Sequence, residues 1–78
     1  MKRNKGICLE RARPVIEYLA GEYADEAMAY ISENHGGLFT GREIKVRFLQ
    51  WFFRAQPFHI HSFKWRIAWE RLDGLERG

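Results

Sequence analysis

Thr40-Gly41-Arg42-Glu43 restricts this chain more than any other stretch, because it fixes where a helix starts and so sets the phase of the residues after it. A threonine three residues ahead of a glutamate makes a capping box. The hydroxyl accepts from an orphan N–H of the first turn, and the carboxylate reaches back to the threonine's own N–H. The helix is expected to begin at Gly41. Ile44, Phe48, Trp51, Phe52 and Ala55 then recur at i, i+4, i+7, i+8 and i+11, which keeps them on one side of a helix with about 3.6 residues per turn. Glu43, Arg47, Gln50 and Arg54 form its wet side. Pro57 ends it, since its ring disfavours helical geometry at Gln56 and it has no N–H to donate. After His59-Ile60-His61, Ser62 is the expected cap of another helix. That helix has Trp65, Ala68, Trp69 and Leu72 on one face, a polar side of Lys64, Arg66, Glu70 and Arg71, and Gly74 as its stop.

The front of the chain repeats the pattern less cleanly. Leu9, Ala12, Ile16, Leu19, Ala20 and Tyr23 keep helical phase, and Ala27 and Ile31 continue it. Pro14 is comfortable only in a first turn, so a helix should start near Arg13, or an earlier turn is kinked away from it. Gly21 costs about 1 kcal/mol relative to Ala in a helix interior, which predicts a break between a helix ending near Ala20 and another starting near Ala24. One bent helix running to Asn34 fits the same periodicity. In Asn34-His35-Gly36-Gly37, Gly36 or Gly37 supplies the left-handed residue a C-cap needs. Residues 1–6 read as a flexible basic arm and 7–78 as one helical domain. The expected fold is therefore all-α, with helices over 13–20, 24–34, 41–54 and 62–72. At most, Leu38-Phe39 pairs with something after Gly74 as a vestigial β wing. The expected core is Ile44, Phe48, Trp51, Phe52, Trp65, Trp69 and Leu72 with Ile16, Leu19 and Ile31.

A 78-residue chain is a single small domain, and such domains bury only about 60% of the surface their unfolded chains expose. Cys8 is the only cysteine, so no disulfide compensates. Apolar packing or a partner must. The 46% hydrophobic content rules out a disordered tail as the main character of the chain. The helix from Gly41 has a second apolar side, Val46, Leu49 and Phe53, which makes it central in its fold or shared with another chain. A homodimer seam on that side is one expectation. A net charge of +3 suits a nucleic-acid partner and argues against an acidic DNA mimic. No apolar run approaches the roughly 20 residues of a membrane span, and no signal-like segment comes after the basic start, so no membrane role and a cytoplasmic location are expected.

Catalysis finds little support. His35, His59, His61 and Cys8 are candidate zinc ligands, but their spacing matches no C-x-x-C or H-x-x-x-H pattern, and turn histidines explain them. Cys8 lies near Arg11 and Arg13 with no motif joining it to a histidine as a nucleophile pair. Glu10, Glu17, Glu22, Asp25, Glu26 and Glu33 are spaced as a solvated helix surface, and Gly36-Gly37 lacks the Lys-Ser or Lys-Thr of a phosphate loop. The reading is non-enzymatic, with no cofactor and no metal.

Two functional readings remain. Leu38-Phe39-Thr40-Gly41-Arg42-Glu43-Ile44 resembles the start of the second helix in winged-helix and related helix-turn-helix DNA-binding domains. His61-Ser62-Phe63-Lys64-Trp65-Arg66-Ile67-Ala68-Trp69-Glu70-Arg71-Leu72 is similar to their recognition helix. The resemblance implies a helix-turn-helix-like C-terminal half in a small, dimeric DNA-binding regulator, with Ser62, Lys64, Arg66 and Arg71 facing DNA. The alternative starts from the tryptophans. If Trp65 and Trp69 are inside, Phe63 and Ile67 are left partly exposed, and with Val46, Leu49 and Phe53 they offer apolar surface to another protein. In that case the chain is a protein-interaction module, such as a small inhibitor or adaptor.

Overall fold

The computed structural model describes residues 6–55 and 58–77. Residues 1–5 of the arm expected over 1–6 and the helix stop expected at Gln56-Pro57 lie outside them; Gly6, the arm's last residue, is described, at φ +71°. Four α-helices occur in order: α1 Leu9–Ala20, α2 Ala24–Ser32, α3 Gly41–Ala55 and α4 Ser62–Arg77, with a 3₁₀ turn, Gly21–Tyr23, between the first two. Counting α1 and α2 as one rod bent at Gly21, the domain is three helical arms. It is all-α, with no β-strand among the described residues.

The helices close a ring: α1 packs on α2 and α4, and α3 packs on α2 and α4. The molecule measures 42 × 28 × 17 Å. On the outer side of α3, Val46 and Phe53 stay exposed and Leu49 is half-buried.

The capping box forms as expected. Thr40 Oγ1 accepts from Glu43 N–H at 3.0 Å, and Glu43 Oε1 accepts from Thr40 N–H at 2.9 Å. The break at Gly21 is also present: this glycine takes φ +57°, which a residue with a Cβ adopts only at a cost. Ile16, Ile31, Ile44 and Phe48 are fully buried, and Leu19, Trp51 and Leu72 nearly so. Phe52, Trp65 and Trp69, expected inside, are only partly buried. They surround Phe48 as a shell, with Trp65 and Trp69 edge-on to it at centroid distances of 5.9 and 6.1 Å.

Four features of the helix ends differ from expectation, and the first and last of them have a tertiary cause. α1 begins at Leu9, four residues ahead of Arg13, with Pro14 inside it. The early start is anchored by Ile7, which is fully buried and exchanges two backbone hydrogen bonds with Phe39, at 2.6 and 2.9 Å. Pro14 is exposed, on the solvent side of the helix. Among the described residues the only β pairing of Phe39 is this antiparallel bridge to Ile7, so the expected partner after Gly74 is replaced by one near the chain start. α2 ends at Ser32, and the first positive-φ residue after it is Asn34 at φ +60°, ahead of Gly37 at φ +93°, one of the two glycines expected to take that role; asparagine is the side chain that best tolerates this region after glycine. Ser62 is the first residue of α4 and not its cap: the His61 carbonyl takes the first bonds, from Lys64 N–H at 2.9 Å and Trp65 N–H at 3.3 Å.

The fourth difference shapes the surface between α3 and α4. α4 runs through Gly74 to Arg77. The extra turn is held from outside the helix, where Glu76 Oε1 accepts the N–H of Gly41 at 2.8 Å. An orphan donor of the α3 N-terminus thus rewards helix at the far end of α4. Arg77 donates to Asp73 one turn back at 2.8 Å and adds a local exposed pair.

Candidate interaction surface

α3 is two-sided. Ile44, Phe48 and Trp51 face the core, while Val46, Leu49 and Phe53, at i, i+3 and i+7, form a stripe on the outer side. Val46 is 42% and Phe53 64% exposed, and Leu49 is half-buried. Phe53 lies edge-on to Phe52 at 5.8 Å, and Phe52 in turn meets Trp65 at 5.3 Å. The stripe therefore continues through partly buried aromatics toward α4.

Between the first turns of α3 and the outer edge of α4 lies a groove of about 460 Å³. Arg42 and Lys45 line it from α3, and Arg66, Trp69 and Glu70 from α4. Lys45 Nζ sits 5.6 Å over the Trp69 ring. On the other flank of α3, a smaller depression of about 320 Å³ is lined by His35, Arg42 and Val46 among others. His35 stacks on Phe39 with centroids 3.7 Å apart, and its Nε2 lies 3.6 Å from Glu43 Oε1.

The four residues expected to face DNA fall on two sides of α4. At about 100° per residue, Lys64 and Arg66 are separated by about 200°. Lys64 and Arg71 turn to α1: Lys64 Nζ lies 5.0 Å and the Arg71 guanidinium 5.2 Å from the centre of the Tyr18 ring. Lys64 also donates to the Tyr18 carbonyl at 3.4 Å. Ser62 is exposed, and Arg66 turns the other way into the groove with Arg42 and Lys45. The apolar candidates likewise divide. Val46, Leu49 and Phe53 share the α3 stripe. Phe63, 67% exposed, and half-buried Ile67 sit one turn apart on α4, with Ile67 in phase with Lys64 and Arg71.

Arg42 and Lys45 are surface residues that the sequence reading leaves out. A signal for Arg42 is present, since it precedes Val46 by four, Leu49 by seven and Phe53 by eleven and so lies on their line.

Elsewhere the charges serve the fold. Arg13 bonds Asp25 at 3.0 Å and Glu17 at 3.4 Å, tying α1 to α2, and these partners, Asp25 first, raise its pKa. Such exposed pairs contribute little to stability. Among the described residues no cluster of three histidine, cysteine or carboxylate side chains is arranged to hold a metal ion, and no helix is long and apolar enough to cross a membrane. Cys8 is exposed and carries a free thiol. No protein-family model matches the chain, and comparisons with curated proteins and with solved structures give no match.

Proposed function

We propose that this chain is a non-enzymatic protein-interaction module that docks the outer stripe of α3 on another protein. The observation that carries this reading is the exposure of Val46 and Phe53 with half-buried Leu49 between them, on a helix whose opposite side is already committed to the core. Apolar side chains at this spacing form a ridge that fits a groove or a facing helix. Covering a side chain of this size contributes about 1.5 to 3 kcal/mol when it starts fully exposed, and less for Leu49.

A second reading is a dimeric helix-turn-helix-like regulator in which α4 meets DNA. It is favoured by Arg42, Lys45 and Arg66 lining one groove, and by three cations among residues 1–5. It is weakened by Lys64 and Arg71, which lie against Tyr18, and by a connection over 56–61 longer than the usual three- or four-residue turn.

The test compares wild type with Leu49→Glu as baits in extract from the native cell, beside a titration of both against duplex DNA at low and high salt. The docking reading expects a protein that wild type retains at high salt and Leu49→Glu loses, because a charge is costly at an apolar seam. The regulator reading expects DNA binding with a steep salt dependence that Leu49→Glu leaves unchanged. Sedimentation of wild type as a dimer at high micromolar concentration, abolished by Leu49→Glu, would make the occupant a second copy.

A further inference from the structure

The face that carries the α3 stripe is wider than the stripe. Positions 42, 46, 49 and 53 alternate by four and three, the spacing of a seam that accepts another helix laid alongside. Beside this seam runs the groove, whose α4 wall looks the same way. Arg66 and Asp73 lie about 200° and about 180° around α4 from Lys64, which faces Tyr18 of α1. Among the described residues, three cations, Arg42, Lys45 and Arg66, and three carboxylates, Glu70, Asp73 and Glu76, line the groove. Such a mixed surface suits no partner of a single sign of charge. Its order along the two helices is the informative part. α3 and α4 run in opposite directions, since Gly41 meets Glu76 and Phe52 meets Trp65.

We infer that this face pairs with the same face of a second copy of the chain about a two-fold axis, with the two α3 helices antiparallel. The inference rests on the docking reading and makes the docked protein a second copy. An axis that sets Val46 against Leu49 of the second copy also sets Arg42 over its Phe53, an exposed ring, and each contact occurs twice. On the flanks of the seam Glu43 comes level with Gln50 and Lys45 with Phe52. Arg47 and Arg54 turn back to their own chain, on the Glu33 carbonyl and over the Tyr30 ring, and take no part. Because α4 runs beside α3 in reverse, the same axis crosses it close to Trp69 and Glu70. Arg66 on one side of the axis then faces Glu70 and Asp73 of the second copy. Asp73 meets Arg77 through Oδ2 at 2.8 Å, and a carboxylate accepts through both oxygens. A parallel pair would instead set Arg42 on Arg42 and Arg66 on Arg66, with the two helix N-termini side by side, which is unfavourable. Duplex DNA would meet Glu70 and Asp73 as well as the cations, and would leave Val46, Leu49 and Phe53 with nothing apolar to cover them.

The experiment follows the full chain by sedimentation velocity over a micromolar concentration series. Wild type is expected to be a dimer and Leu49→Glu a monomer. Arg66→Glu sets a carboxylate against Glu70 and Asp73 of the second copy, and is expected to raise the dimer dissociation constant at least about tenfold. Arg66→Glu with Asp73→Arg in one chain restores opposite charges across the axis, and is expected to return the constant to within about threefold of wild type. Arg66 and Asp73 are exposed, so these variants should keep their fold, which circular dichroism verifies. A wild type that stays monomeric at high micromolar concentration would overturn the inference; the docking reading would survive if wild type retained a different protein that Leu49→Glu lost. A dimer lost in Leu49→Glu but indifferent to Arg66→Glu would overturn the two-fold arrangement. A dimer that persists in Leu49→Glu would lie on another face and overturn the inference.

Discussion

Glu76→Ala is the substitution whose outcome tests the architecture most directly. The Glu76 carboxylate accepts the Gly41 N–H at 2.8 Å from 35 positions away, in a partly buried setting. Removing it leaves an orphan donor at the start of α3 and frees the last turn of α4. Losing a side-chain helix cap costs about 0.5 to 2 kcal/mol, and a hydrogen bond to a charged group contributes about 1.5 to 3 kcal/mol. Water can reach the vacated donor in part, so we place the loss at about 1 to 2 kcal/mol. A domain of this length has total stability of about 4 to 12 kcal/mol, and 1 kcal/mol moves the Tm of a domain this size by roughly 4 to 8 °C. Thermal unfolding tracked by far-ultraviolet circular dichroism should therefore show Tm lowered by about 5 to 15 °C. Glu76→Gln, which keeps an oxygen acceptor without the charge, should lose about half as much. If Glu76→Ala melts within about 2 °C of wild type, the bond to Gly41 is not what holds α4 past Gly74, and the reasoning fails.

Two further outcomes are expected. Phe48→Ala, at a fully buried ring surrounded by Trp51, Phe52, Trp65 and Trp69, should cost about 3 to 5 kcal/mol, and an unchanged melting temperature would refute the packing described for it. Gly6→Ala should lower the urea midpoint although it adds only a methyl group, because Gly6 holds φ +71° and a Cβ there would stand 2.7 Å from Leu38 Cβ. A midpoint equal to wild type would mean the Ile7–Phe39 bridge does not depend on that turn.

The sequence is most readable where the cause of structure is local. A capping box, an apolar stripe and a glycine break each act within about one helical turn or through one helix's own periodicity, and all three are in the structure. The two boundaries that shift furthest have the opposite property. Leu9 keeps helical phase, but Pro14 argues for a start near Arg13; the helix starts at Leu9, two residues after Ile7 is pinned to Phe39, in a bridge that spans the first two helices. Nothing near Gly74 permits more helix except a donor at Gly41. Long-range hydrogen bonds carry no signature in residue spacing, so spacing alone makes the first and last helices too short.

The candidate surface is half readable, for a geometric reason. The α3 stripe comes from the period alone once the core side is set by Ile44, Phe48 and Trp51. The polar residues of α4 group as one wet side in sequence because all avoid the Trp65, Ala68, Trp69 and Leu72 face, yet a helix in a closed ring has two flanks as well as a back. Lys64 and Arg71 fall on the flank toward α1, against the Tyr18 ring, and Arg66 falls on the flank toward α3, beside Arg42 and Lys45. Which flank meets which neighbour depends on the order of helices around the ring, and no single helix encodes that order. The consequence is chemical: cations that look alike in sequence divide into a pair set over the Tyr18 ring of α1 and a third, Arg66, set beside Arg42 and Lys45 of α3.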